Sequence, residues 1–194
     1  MARTMTVDAF RQMIANMAQA RMGLRAYCDY LKHRTREDKY LREEYLPILA
    51  VINHKSIPES EQIELGNETE GWDARISATE LFEVVQALPE DEYQTRREIA
   101  SGGASITTYI KHAADHHQFP DAVVDAIKSK HKKGYTDSRS LVVVFSGDYS
   151  SEQDDIVNGW VQELRRRTTR GSFKDILLVE LDRLKVFSLF ESIE

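Results

Sequence analysis

Between Glu61 and Ala87 the chain reads EQIELGNETEGWDARISATELFEVVQA, and this stretch decides the fold. It holds three short runs, Glu61 to Leu65, Trp72 to Ser77 and Leu81 to Ala87, separated by turn-forming residues, which is the pattern of strands. Gly66, Asn67 and Gly71 punctuate the first connection, while Ala78, Thr79 and Glu80 fill a short second one. Connections this short join antiparallel neighbours, so the expectation is a three-stranded meander.

Toward the N-terminus the period changes. From Thr6 to Leu31, Phe10, Met13, Ile14, Met17, Ala20 and Leu24 recur at three- and four-residue steps, which predicts an amphipathic helix that Thr6 or Asp8 can start. Its methionine-bearing face suits a core or a partner helix, so a homodimer through this helix is one expectation. Lys32, His33 and Arg34 mark its end. Arg36 to His54 reads as a second helix with Leu41, Tyr45, Ile48 and Ile52 on one side, which Pro47 should kink or interrupt.

Beyond the meander a polar helix is expected from about Pro89 to Ile99, broken at Ser101, Gly102 and Gly103, with an apolar face resuming at Ile106, Tyr109, Ile110 and Ala113. The next helix runs from Pro120 to Lys133, with Val123, Ala126, Ile127 and Lys130 on one face. Leu141 to Phe145, LVVVF, has the continuous apolar character of a strand covered on both sides, placed centrally in a sheet. A helix from Ser151 to Arg167 and strands from Asp175 to Leu181 and Leu184 to Phe190 complete the pattern. The expected fold class is α/β, a mixed sheet flanked by helices. An added N-terminal helix (residues 1–35) would precede a core (residues 36–194), in one domain.

Composition bounds the function. With 41% hydrophobic and 30% charged residues in 194, the chain can fill a core, and 9 Gly and 4 Pro are too few for a collagen-like or low-complexity chain. No apolar run approaches the roughly 18 to 20 residues of a membrane span, and the start MARTMTVDAFRQ lacks the apolar run of a signal peptide. The single cysteine, Cys28, cannot form an internal disulfide. A cytoplasmic chain without membrane contact is expected. The net charge of −6 argues against a nonspecific nucleic-acid coat protein. Two stretches are nevertheless basic: Lys128, Lys130, Lys132, Lys133 and Arg139, then Arg165, Arg166, Arg167, Arg170 and Lys174. Such patches can meet phosphates, or simply sit at solvated helix ends favoured by the helix dipole.

The chemistry concentrates on two acids. Asp73 and Glu83 fall on neighbouring strands, and two such carboxylates can hold a divalent ion. Mg²⁺ prefers oxygen ligands, typically one or two carboxylates with water and a phosphate oxygen, and such an ion can activate water and stabilise a leaving oxygen. Glu83 interrupts the apolar run LFEVVQA, where an unpaired buried charge is costly. Either it lies at an exposed edge or something compensates it.

Helix, three-strand meander, helix and strand, with an acid in the second strand and another in the third, resembles the PD-(D/E)XK nuclease superfamily over about Arg36 to Phe145. The resemblance implies a restriction-endonuclease-like core and Mg²⁺-dependent DNA hydrolysis. It also implies metal binding by Asp73 and Glu83, with Glu44 from the preceding helix assisting. Glu44 is preferred to Glu43 because Leu41, Glu44 and Ile48 share a helical face. Two residues after Glu83 the pattern expects a lysine, and Val85 stands there. Gln86 replaces it only if a bulge shifts the strand register. Otherwise Lys130 or Lys133 must reach in from its helix. Lys128, Lys130, Lys132, Lys133, Arg166 and Arg167 would contact DNA phosphates.

Other constellations are weaker. His112 and His116, four apart with Asp115 and His117 beside them, resemble a zinc spacing without a third ligand. Gly102, Gly103 and Ser105 lack the lysine and Ser/Thr pairing of a phosphate loop. Cys28 reads as packing, and the GDYSS segment from Gly147 as a turn after a strand. The expected function is a Mg²⁺-dependent nuclease-like protein. The alternatives are a nuclease fold kept as a catalytically inactive binding or regulatory module, and an unrelated α/β interaction protein with Asp73 and Glu83 on its surface.

Overall fold

The computed structural model describes residues 2–21, 35–66, 70–89, 97–98, 101, 118–145, 154–181 and 183–190. Among the described residues seven strands form one open sheet: β1 (Arg3–Thr6), β2 (Gln62–Leu65), β3 (Ala74–Ile76), β4 (Glu80–Gln86), β5 (Arg139–Phe145), β6 (Ile176–Glu180) and β7 (Lys185–Ser188). Their spatial order is their sequence order. β1 to β4 are mutually antiparallel, β4, β5 and β6 run parallel, and β7 returns antiparallel on β6. The protein is therefore α/β with a mixed sheet.

Helices cover both faces. α1 (Val7–Arg21) and α2 lie on one. α2 is a rod of three pieces: an α-helical Arg36–Tyr40, a π-helical turn Leu41–Tyr45 and an α-helical Leu46–His54. α3 (Gln118–His131) and α4 (Asp154–Arg167) lie on the other face. Because β4, β5 and β6 advance in one direction across the sheet, two crossovers of the same hand put their helices on the same side. Alternation along the strands divides the core accordingly. Phe82, Val84, Val142 and Val144 face Phe10, Ile14, Ile48 and Ile52. Leu141, Val143, Ile176 and Leu178 face Val123, Ile127, Val157 and Leu164. Every residue of β5 is buried, as the LVVVF run requires of a strand with a helical layer on each side.

The expected meander is β2–β3–β4. Its second turn is tight: Ser77 and Ala78 have φ of 54° and 59°, and the Thr79 amide donates to the Ile76 carbonyl at 3.2 Å. The interruption expected at Pro47 takes the form of the π turn. Proline cannot donate to the carbonyl of Glu43 and crowds it, and the turn before it widens so that the Leu46 amide donates to Leu41, five residues back.

The N-terminus departs from expectation. Residues 3–6 form an edge strand on β2 rather than the approach to an added helix, and Thr6 ends that strand while its Oγ1 accepts the Ala9 amide at 3.2 Å. Four residues show too little alternation to announce a strand. Val7, Phe10 and Ile14 belong to the first core, and Met13 and Met17, partly buried, pack against it, so the methionine-bearing face contributes to the core of this chain. The basic end of that helix at Lys32 to Arg34, Cys28, the expected helix Pro89–Ile99 apart from residues 89 and 97–98, the Gly102–Gly103 break, the histidines at 112, 116 and 117 and the turn at Gly147 lie outside the described residues. Among the described residues no helix is long and apolar enough to cross a membrane.

Candidate functional site

The regular β3–β4 ladder ends at the pair Ala74 and Phe82. One step beyond it, the Asp73 amide donates to the Phe82 carbonyl at 2.9 Å, and the Asp73 carboxylate, through Oδ2, accepts the Val84 amide at 2.6 Å. Asp73 thus straddles the β4 residues on either side of Glu83. Its own carbonyl accepts the Gly66 amide at 2.9 Å, and Gly66 approaches the Trp72 carbonyl so closely that a Cβ at position 66 would stand 2.0 Å from it. A residue with any side chain would push this strand end away.

Glu83 points to the α3 face and is only 6% exposed. Its compensation is extensive. Oε1 accepts Lys130 Nζ at 2.5 Å, the Tyr135 hydroxyl at 2.8 Å and Lys133 Nζ at 3.4 Å, while Arg139 Nη1 approaches Oε2 at 3.3 Å. Local sequence explains the convergence. Val123 and Ile127 bury one stripe of α3, which carries Lys130 in its last turn to the same side. Gly134 then adopts a φ of 63° beyond the helix end, and the chain doubles back so that Tyr135 meets the same carboxylate.

The electrostatics divide the acids into two kinds. Burial would raise Glu83, but the hydrogen bonds and charges of Lys130, Tyr135 and Lys133 outweigh it and hold its carboxyl below the ordinary range. Asp73 is pushed up, by burial first and by the nearby Glu83 charge, against the pull of its bond to the Val84 amide. Glu44, in the π turn of α2, is pushed up to about 8 by burial and then by the charge of Asp73. Asp73 is thus the electrostatic neighbour of both Glu83 and Glu44, and favourable partners outweigh burial only at Glu83.

Among the described residues no three His, Cys, Asp or Glu side chains are gathered as a ready ligand set for an ion. The acids offer oxygen, the donor type that Mg²⁺ takes. Glu44 and Asp73 are half-buried, and each carboxyl is pushed up by burial and by a neighbouring acid.

The other sequence-derived candidates disperse. The β4–β5 ladder pairs Leu81 through Gln86 with Arg139 through Val144 without a bulge, so Gln86 stays on the face opposite Glu83 and cannot take the place left by Val85. Lys128 and Lys132 are exposed near the end of α3. Arg166 is exposed on α4, but Arg167 is bound to Asp121 and Glu163, Arg165 donates to the Leu189 carbonyl at 2.7 Å, and Lys174 pairs with Glu80 at 2.9 Å. Arg165, Arg167 and Lys174 of the second basic stretch thus have partners within the fold. Arg139, read from sequence as part of the first basic patch, is 5% exposed and belongs to the site. Tyr135 was missed altogether, and the signal available was Gly134, whose placement after a helix announces a reversal of the chain.

No protein-family model, no curated protein and no solved structure matches this chain.

Proposed function

We propose that this chain is a Mg²⁺-dependent nuclease-like protein that hydrolyses DNA phosphodiester bonds, with the restriction-endonuclease-like core that the PD-(D/E)XK resemblance implies. The observation that carries the reading is the contact of Lys130 Nζ with Glu83 Oε1 at 2.5 Å, beside Asp73 on the adjoining strand end. In this reading Lys130 from α3 takes the role that Val85 leaves open in the motif.

In this reading Asp73 and Glu83 hold the ion, with Glu44 assisting across the end of the sheet. The bound ion supplies Lewis acidity and a more acidic water. Lys130, anchored on Glu83 and largely shielded from solvent, orients the attacking water through its ammonium hydrogens. Lys133 has a side chain 54% exposed and faces outward from the same carboxylate, and with Lys128 and Lys132 it meets the phosphates of the strand. The β-sheet holds the acids, and the helix end supplies the cations where its dipole favours them.

A second reading is favoured by one specific feature. Both Glu83 oxygens are already engaged by cationic or phenolic donors, so its charge is offset without an ion. That suits a nuclease fold retained as a binding module. The test is cleavage of plasmid and short linear DNA by the purified chain with Mg²⁺ or Mn²⁺, beside Asp73→Ala, Glu83→Ala and an EDTA control. Metal-dependent cleavage lost in both variants supports the nuclease. DNA binding without cleavage in any metal supports the module. Equal cleavage by the variants refutes the site.

A further inference from the structure

The strand end that carries Asp73 runs past the last regular pair, Ala74–Phe82, and is held there by the bonds of Asp73 to Gly66, Phe82 and Val84; the reading above needs that end at a fixed spacing from Glu83. Arg139 supplies a tie at this place. It opens β5, pairs with Leu81 across the parallel ladder, and sends its guanidinium over β4 to the segment before β3. Nη1 donates both to the carbonyl of Gly71, two residues before Asp73, and to Glu83 Oε2. Nε and Nη2 form a two-pronged pair with the Asp137 carboxylate, and the guanidinium carbon lies 4.0 Å from the centre of the Tyr135 ring. One side chain therefore joins the Asp73 segment, Glu83 and the aromatic ring that donates to Glu83.

A buried arginine is costly unless its donors are used, and here all three nitrogens are. The arrangement depends on the planar fork. A lysine has one compact ammonium and cannot serve Asp137, Gly71 and Glu83 together. We propose that Arg139 is a positioning residue of this site. By gripping the Gly71 carbonyl and Glu83 Oε2 with one nitrogen, it fixes the Asp73 strand end against Glu83, and Asp137 and Tyr135 hold the guanidinium in place. The inference rests on the nuclease reading for its catalytic consequence, but the grip can be measured without catalysis.

The reporter is the Val84 amide, whose proton is held by the Asp73 carboxylate. Hydrogen exchange is followed by NMR in the intact chain and in Arg139→Lys and Asp137→Ala, with the Val143 amide in the central strand as reference. Kinetics of Mg²⁺-dependent DNA cleavage are taken in parallel. Arg139→Lys is expected to speed exchange at Val84 by about tenfold while Val143 is unchanged, as in a local opening. It also lowers kcat by about 10- to 100-fold at constant KM, the range typical of groups that orient metal ligands. Asp137→Ala, which loosens the fork from a half-exposed position, gives a smaller change of the same sign, and it decides the matter if Arg139→Lys does not fold. Unchanged exchange at Val84, or equal acceleration at Val84 and Val143, overturns the proposal. If the intact chain cleaves no DNA the nuclease reading fails, and the Val84 measurement still decides whether Arg139 holds the strand end.

Discussion

Replacing Glu44 by Gln should make the protein more stable, and increasingly so as pH rises. The Glu44 carboxyl is raised from 4.5 to about 8, by burial and by the Asp73 charge. The unfolded chain ionises it near 4.5 and the folded chain resists until about 8. Its favourable contribution is thus complete below 4.5 and is lost as pH climbs through 8. At about 1.4 kcal/mol per tenfold, that displacement sets a ceiling of about 5 kcal/mol. Glu44 keeps partial contact with solvent, and screening reduces the figure to roughly 1–2 kcal/mol. Glutamine keeps the shape and cannot ionise. Urea unfolding of both proteins in EDTA, at about pH 5 and about pH 8.5, should show the variant gaining about 1–2 kcal/mol over the parent across that interval. Added Mg²⁺ should recover the loss in the parent alone. A difference between the two proteins that stays flat with pH would refute the placement of Glu44 as a half-buried neighbour of Asp73.

Two further outcomes follow from the same geometry. Lys130→Met removes the shortest contact to Glu83 and leaves Tyr135, Lys133 and Arg139 to offset a buried charge, so stability at neutral pH should fall by about 1–3 kcal/mol in denaturant titration, with DNA cleavage abolished; an unchanged midpoint would mean that Lys130 and Glu83 do not meet. Ala78→Gly relieves a positive φ of 59° in the turn that joins the two acid-bearing strands, and the melting temperature should rise by an amount equivalent to roughly 1 kcal/mol; a fall would contradict the turn geometry.

The sheet was legible because its signals are local. The punctuated runs from Glu61 to Ala87 and the unbroken LVVVF carry their period and their turns in adjacent letters, and the structure forms β2, β3, β4 and β5 there. The helices found at Arg36–His54, Gln118–His131 and Asp154–Arg167 were legible for the same reason, since a periodic apolar face is written within a few turns. β1 was not, because four residues of edge strand acquire their identity only by pairing with β2, some sixty positions away. Pro47 announced a disturbance, but the widened turn that sets Glu44 near Asp73 is a property of the packed helix.

For the site the division is sharper. The sequence by itself determined that Glu83 needs either solvent or a partner, because an acid inside LFEVVQA has a solvation cost if it is buried. It also placed Lys130 on the apolar side of its helix. Only the tertiary structure decided which groups meet the cost. Lys130, Lys133, Tyr135 and Arg139 lie 47 to 56 positions from Glu83, and the parallel crossover from β4 to β5 brings them to it. Hydrogen bonds act over about 3 Å, and distance along a chain carries no information at that scale until the sheet has closed.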